Sequence, residues 1–277
     1  MRQRLTALVL VTAVLLGGCS AMRLIYSNAD VFLRWQTGRY LDVHDEQSEE
    51  LDARVAAFLA WHRAVALPQY VGIARDADSR IGRGLSRADL VWGYDSFQTQ
   101  MRAAARAGAE NAAPLLDRLS PEQIEHLRKR FAEDNRKFAK EQLQGDDRER
   151  RKRRVKRNVE RLEDWLGSLS DAQLERVRQY SDRAPLVGEM RDRERRRLQT
   201  EFIAIVRARE AARRLPDWAA TWERRREPVF AEAHRANLDA LYDMLLDLDR
   251  SLSAEQREAA RLRMREFATD FDRLAKR

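Results

Sequence analysis

The sequence is poor in cysteine, glycine and proline, and each shortage excludes a class of protein. Its 277 residues include one cysteine, 11 glycines and six prolines. A single cysteine cannot form an internal disulfide bond or a cysteine-rich zinc site. So few glycines and prolines argue against a β-sandwich, which needs many turns, and against a disordered linker protein. The absences therefore favour a helical protein.

Charged and helix-forming residues are abundant instead. Charged residues make up 35% of the chain and hydrophobic residues 44%. Apolar residues recur in steps of three and four, as they do from Leu238 to Leu252, which is the spacing of one helix face. We predict an all-α fold: an elongated or cradle-like assembly of seven to nine helices. Breaks are expected near Pro68, Gly82–Gly84, Pro114, Gly145, Gly167, Pro185, Pro216 and Pro228.

The N-terminus has the features of a targeting signal. Arg2 and Arg4 precede an uncharged apolar run, Leu5 to Leu16, which is shorter than the roughly 20 residues that span a bilayer and fits a secretory signal. The run ends in Leu16-Gly17-Gly18-Cys19, which resembles the lipobox of bacterial lipoproteins. That resemblance implies cleavage before Cys19 and its acylation, including palmitate. An ordinary signal peptide with an incidental cysteine, or a simple membrane anchor, is the alternative.

These features predict the organisation and the location of the chain. We expect a lipoprotein signal peptide over residues 1–18, a lipidated, anchor-proximal segment over 19–42 and one helical domain over 43–277. Residue 20 is Ser rather than Asp, which by resemblance to Gram-negative lipoproteins favours the outer membrane, with the folded part facing the periplasm. The expected partners there are the membrane itself, anionic envelope components and protein clients, and not nucleic acid.

A short motif recurs at irregular intervals. It occurs at Leu119–Gln123, Leu169–Gln173 and Leu252–Gln256, each with Ser second and Gln fifth. Ser at the N-cap and Gln three residues later form a capping box, so the motif predicts helix starts. It also resembles the Leu-Thr-x-x-Gln motif of small periplasmic helical chaperones of the spheroplast-protein-Y and Cpx-pathway type. That resemblance implies a chaperone-like role.

Other segments resemble a family of uncharacterised proteobacterial lipoproteins that is catalogued as a domain of unknown function. The matching residues are Arg23–Asp30, Val43–Gln47, Trp61–Arg63 and Leu67–Tyr70. The resemblance implies an all-helical envelope protein and supplies no activity and no catalytic residues.

Basic residues form the most distinctive surface feature. Eight of the ten residues from Arg148 to Arg157 are Lys or Arg, and a second cluster runs from Arg191 to Arg197. Two interpretations stay open: a solvated helix face, or a patch for lipid headgroups, lipopolysaccharide phosphates or an acidic protein. The candidate binding residues of the run are Arg148, Arg150, Arg151, Lys152, Arg153 and Arg154.

Aromatic residues supply further candidates. Trp218 and Trp222 lie four residues apart after Pro216, and Trp35 lies near the anchor. Packing in the core is one interpretation of these side chains, and contact with a partner or the membrane interface is the other.

The sequence lacks a recognisable catalytic motif. His44, His62, His126 and His234 show no metal-ligand spacing, and we expect His62 and His234 to be hydrogen-bonded near the core. Carboxylates such as Glu194 interleave with arginines, which is typical of solvated, salt-bridged helix faces. We therefore expect no enzyme activity, no metal and no cofactor. The predicted function is a non-enzymatic outer-membrane lipoprotein that binds protein partners or clients in a chaperone or envelope-assembly role. The alternative is a polyanion or envelope-surface binding module that uses residues 148–157.

Overall fold

The computed structural model describes residues 26–277, and within them it contains helices and no strand. The predicted signal peptide, Cys19 and the rest of the chain before Tyr26 lie outside the described residues. The α-helices are α1 (Ala29–Leu41), α2 (Asp45–Trp61), α3 (Leu67–Gly82), α4 (Arg87–Leu116), α5 (Pro121–Phe138), α6 (Asp147–Leu166), α7 (Asp171–Arg183), α8 (Gly188–Arg207), α9 (Ala211–Thr221), α10 (Pro228–Arg250) and α11 (Ala254–Ala275).

The all-α prediction is confirmed, but the predicted number of helices is wrong. A π-turn over His62–Ala66 joins α2 to α3 without a break, so residues 26–277 form ten continuous helices rather than seven to nine. Pro68 does not end the helix: it is the second residue of α3 and directly follows the π-turn, where the backbone hydrogen bonds already depart from the α-helical pattern. Pro216 lies inside α9. Three further breaks lie away from every predicted position, at residues 42–44, 208–210 and 251–253. None of these three contains glycine or proline.

The recurring motif starts helices, as the capping-box pattern predicts. Ser120 Oγ accepts a hydrogen bond from the Gln123 amide (3.2 Å), and Gln123 Oε1 accepts one from the Ser120 amide (3.0 Å). The same box opens α7 at Ser170 and α11 at Ser253. Each box satisfies two amide groups that the helix itself leaves without partners.

The glutamines of the motif also join helix starts in pairs. Gln123 Nε2 donates to Gln47 Oε1 (2.6 Å) and to the Asp42 carbonyl (2.9 Å), which links the start of α5 to that of α2. Gln173 and Gln256 exchange hydrogen bonds of 2.9 and 3.0 Å, which link α7 to α11. Gln123 and Gln173 are almost fully buried, and a buried amide is stable where its hydrogen bonds are made. The motif therefore has a tertiary role besides capping.

Two clusters of buried side chains form the core. The larger cluster joins side chains of α1, α2, α4, α5, α8 and α9. The smaller consists of Val177, Met244 and Leu248, with Val159 and Leu162 of α6 packed against it. Helix α4 has 30 residues, about 45 Å, and contacts α10 near its start and the larger cluster near its end. Helix α6 has no fully buried residue, so none of its basic side chains is enclosed in the core.

Candidate functional site

One face of α6 lines a cavity of about 480 Å³ whose walls are rich in arginine. Five of the lining arginines belong to α6 and the sixth, Arg191, belongs to α8. No acidic side chain is among the described residues that line it. The arginines are Arg150, Arg153, Arg154, Arg157, Arg161 and Arg191. We call this the arginine cavity.

The periodicity of α6 explains why these side chains converge. Arg150, Arg154, Arg157 and Arg161 follow one another in steps of four, three and four, which places them on one side of the helix. Val159 faces the smaller core cluster instead. Helix α6 is therefore amphipathic, with an apolar side against α7 and α10 and a cationic side against the cavity.

Arg154 is held by the C-terminal end of α7. Its guanidinium donates to the carbonyls of Ser181, Ala184 (2.7 Å) and Pro185 (2.9 Å). The last carbonyls of a helix have no partner within the helix, so a cation there makes bonds that would otherwise be lost. Burial lowers the pKa of Arg154, and the charges of Arg151 and Arg157 lower it further. Arg154 is thus a structural anchor of the cavity wall.

Two other arginines hold the turn before α6. Arg150 donates to the carbonyls of Leu143 (2.6 Å) and Gly145 (3.0 Å) and pairs with Glu189 at 3.0 Å. Arg153 donates to the Gln144 carbonyl. These bonds fix the positions of both guanidinium groups before any ligand binds.

The remaining three arginines carry charge that no described residue neutralises. Within residues 26–277, the side chains of Arg157, Arg161 and Arg191 have no hydrogen-bond or ion-pair partner. Partial desolvation lowers the pKa of Arg157 although its side chain is exposed, and repulsion by Arg161, Arg153 and Arg191 adds to this. Arginine stays protonated despite such shifts. The cavity therefore concentrates positive charge that an anion would neutralise.

Polar groups complete the wall and are fixed by hydrogen bonds. Tyr180 OH donates to Asn237 Oδ1 (2.9 Å), and Asn237 Nδ2 donates to the Pro185 carbonyl (3.3 Å). Asn158 Nδ2 donates to Ser181 Oγ (3.1 Å). Burial raises the pKa of Tyr180, so its hydroxyl is neutral at physiological pH. The other lining residues are Phe138, Gln142, Leu186, Val187 and Gly188.

The structure places some of the predicted basic candidates in the arginine cavity and others outside it. Arg150, Arg153 and Arg154 line the cavity. Arg151 lies beside it and donates to the carbonyls of Asp182 and Ala184. The exposed side chains of Arg148 and Lys152 do not line it.

Several lining residues were absent from the predicted set. They are Asn158, Arg161, Tyr180, Arg191 and Asn237, whereas Arg157 ends the predicted run 148–157 without being among its named candidates. The signal that could have found Arg161 is the helical spacing of arginines, which continues past the dense run. No local signal connects Arg191, Tyr180 or Asn237 with α6, because they lie on other helices.

The two tryptophan candidates lie away from the arginine cavity. Trp218 packs against the larger core cluster, and its Nε1 donates to Glu201 Oε2 (2.8 Å). Trp222 begins a 3-10 turn, with the Arg226 guanidinium 5.3 Å from its ring centre. Neither residue lines the cavity, so the structure does not bring them together with the basic run.

Two histidines have hydrogen-bond partners near the core. Tyr26 OH lies 2.9 Å from His62 Nδ1, and Tyr94 OH lies 3.1 Å from His234 Nε2. Burial lowers the pKa of both histidines. Among residues 26–277, no three or more His, Cys, Asp or Glu side chains are grouped so as to hold a metal ion. None of the helices described there is both long and apolar enough to cross a membrane.

Comparison with known families gives one match. A family model described as "Family of unknown function (DUF6279)" matches residues 39–235, more than two thirds of the 277 residues. The chain belongs to this family. The DUF6279 match contains all the cavity-lining arginines, from Arg150 to Arg191, and begins near the end of α1. No curated protein and no solved structure matches the chain.

Proposed function

We propose that this protein is an envelope lipoprotein that binds a phosphate-bearing envelope component in the arginine cavity and catalyses no reaction. In this proposal acylated Cys19 anchors the chain in the outer membrane, and the helical part faces the periplasm. The observation that carries the binding proposal is the group of three cavity arginines without any partner in the described chain, Arg157, Arg161 and Arg191.

Electrostatics favours a polyanion over a neutral ligand. Repulsion among neighbouring guanidinium groups is relieved when an anion binds between them. Guanidinium groups bind phosphate through paired N–H donors, and such charge-assisted bonds are stronger than neutral ones. The volume of about 480 Å³ lies within the range of small-molecule sites, about 300–1,000 Å³. A phosphorylated sugar or lipid headgroup fits these requirements.

Two finer predictions remain proposals. Lipidation at Cys19 is supported by the order of the apolar run, the glycine pair and the cysteine. The binding of protein clients by an elongated or cradle-like body is supported by resemblance of the helix-start motifs to those of periplasmic chaperones. Palmitate labelling tests the first, with Cys19→Ala as the control; labelling of that variant to the same level would refute lipidation.

Binding is best tested with a pair of charge-matched variants. The unlipidated chain, residues 20–277, is titrated with lipopolysaccharide and, separately, with inorganic pyrophosphate, at low and high salt. Arg157→Gln with Arg161→Gln removes two unpaired cations from the cavity, and we expect about tenfold weaker binding. Lys152→Gln with Lys156→Gln removes the same charge from exposed positions outside the cavity, and we expect a change below about twofold.

The outcomes separate the possible ligand sources. If pyrophosphate binds as tightly as lipopolysaccharide, the ligand is a free phosphate compound; if lipopolysaccharide binds far more tightly, the headgroup is recognised. Equal weakening by both variants would show that binding follows net charge and not the cavity, and would overturn the proposal.

A further inference from the structure

Helix α1 exposes three large apolar side chains on its outer side. Val31, Phe32 and Trp35 have 59%, 57% and 55% of their surface exposed. Their spacing of one, three and four residues places them on one side of the helix. The Phe32 and Trp35 rings lie 6.1 Å apart. Such a cluster of exposed aromatic and branched side chains is unusual on a surface that faces only water.

The opposite side of α1 is already occupied. Ala29, Leu33, Tyr40 and Leu41 pack in or against the larger core cluster. Helix α1 is therefore apolar on both sides, and a helix of that kind needs apolar surroundings on both sides. The core supplies them for one side. The side that carries Val31, Phe32 and Trp35 remains exposed.

Two arginines lie near the exposed apolar side chains, one beside Trp35 and one at the start of α1. The Arg39 guanidinium lies 5.2 Å from the Trp35 ring centre. Arg277 donates to Ser27 Oγ (2.8 Å), which places the C-terminal residue beside the start of α1. Aromatic side chains bordered by arginine are typical of the interface between lipid headgroups and acyl chains.

The chain before α1 limits how far this helix can lie from a bilayer. Cys19 precedes Tyr26 by seven residues, which span at most about 25 Å when fully extended. If Cys19 is acylated, as the proposed function holds, the start of the described chain stays within that distance of the membrane. We propose that Val31, Phe32 and Trp35 form a membrane-contact face that inserts into the headgroup region of an anionic bilayer.

Vesicle partitioning of the unlipidated chain tests this without relying on the anchor. The vesicles contain phosphatidylcholine and phosphatidylglycerol at about 3:1, and high salt screens charge contacts. Phe32→Ser with Trp35→Ser is expected to lower the partition coefficient about tenfold. The matched control is Phe97→Ser with Met101→Ser on α4, where the side chains are 60% and 50% exposed. The control should partition like the unmodified chain.

Three results would overturn the proposal. Equal partitioning of the two double variants would show that α1 does not contact lipid. Loss of a dimer in the Phe32 and Trp35 variant alone, measured by light scattering, would assign this face to a second copy of the chain. A large gain in partitioning on deletion of residues 20–25 would show that this segment covers the face. Pyrophosphate binding should be unchanged in the Phe32 and Trp35 variant. A failure of the membrane-contact proposal can therefore be distinguished from a failure of the proposed anion binding.

Discussion

Helices α6 and α8 are both rich in arginine, but the two clusters have different electrostatic surroundings. On α8, Arg197 makes two hydrogen bonds to Glu194, of 3.0 and 2.8 Å, and also pairs with Glu201. Arg196 pairs with Asp192 at 2.8 Å. These acidic partners lie three or four residues away on the same helix, so α8 neutralises the charges of Arg196 and Arg197 itself.

On the cavity side of α6, Arg150 pairs with Glu189 of α8, but Arg157 and Arg161 have no acidic partner among residues 26–277. Arg157 and Arg161 face Arg191 across the cavity, and none of the three has an ion pair within residues 26–277. The number of arginines in a segment is thus a poor guide to its function. What distinguishes Arg196 and Arg197 from Arg157, Arg161 and Arg191 is the placement of carboxylates, which neutralise the first group and leave the second able to bind an anion.

The largest expected effect comes from removing a carboxylate of α8. Glu194 is 4% exposed, and Glu194→Ala leaves Arg197 with half of its ion pairs. We expect a loss of about 2–3 kcal/mol in the free energy of unfolding, which is at or below the lower end of the range of about 3–5 kcal/mol for a broken buried pair, because Glu201 remains. Urea unfolding measures the change. Asp192→Ala, whose partner Arg196 is half-exposed, should lose less than about 1 kcal/mol, and equal losses would contradict the comparison.

Removing arginines from α6 should instead increase the free energy of unfolding. Arg157→Gln with Arg161→Gln relieves repulsion in the cavity, so the unliganded protein should gain about 0.5 kcal/mol at low salt. The gain is small because both side chains are exposed and solvent screens them. Raising the salt concentration should erase it. A loss of stability comparable with that of Glu194→Ala would mean that these arginines stabilise the fold, and would contradict the proposal that their charge serves to bind an anion.

A smaller effect is expected at His234 on α10, whose pKa responds to Arg191 of α8. Burial lowers the pKa of His234 below 6.5, and the charges of Arg226 and Arg191 lower it further, against a raising contribution from Glu223. The unfolded state therefore takes up this proton first as pH falls, and the folded state loses stability below about pH 6.5. In His234→Gln the loss between about pH 7.5 and 5.5 should be smaller. An anion beside Arg191 should raise this pKa, and NMR titration of the ring with and without pyrophosphate measures it. An unchanged pKa would place the anion elsewhere.

Much of the fold, but less of the site, could be predicted from the sequence. Helical spacing and capping boxes are local, so the all-α class and the helix starts at Ser120, Ser170 and Ser253 are confirmed. The solvated face expected for Glu194 is wrong, because this carboxylate is buried. Which helix faces α6 depends on tertiary packing, so the contribution of Arg191 could not be predicted.

The glutamine pairs show the same limit of prediction from sequence. Capping follows from the residues of one motif, whereas the bond between Gln173 and Gln256 joins segments 83 residues apart. Nothing within either motif identifies its partner. Local residues therefore determine where each helix starts, and tertiary packing determines which helix starts are hydrogen-bonded to each other.

The smallest expected effect is at Arg196, and it tests the self-neutralised character of α8 most directly. Its side chain is 51% exposed and pairs with Asp192 four residues earlier. An exposed pair at this spacing contributes about 0.3–0.5 kcal/mol, so Arg196→Ala should change the free energy of unfolding by no more than that. It should also leave the affinity for lipopolysaccharide unchanged, because its charge is already matched. If Arg196→Ala instead weakens that binding as much as Arg157→Gln with Arg161→Gln does, then ion pairing does not separate the two helices, and the anion surface extends over both.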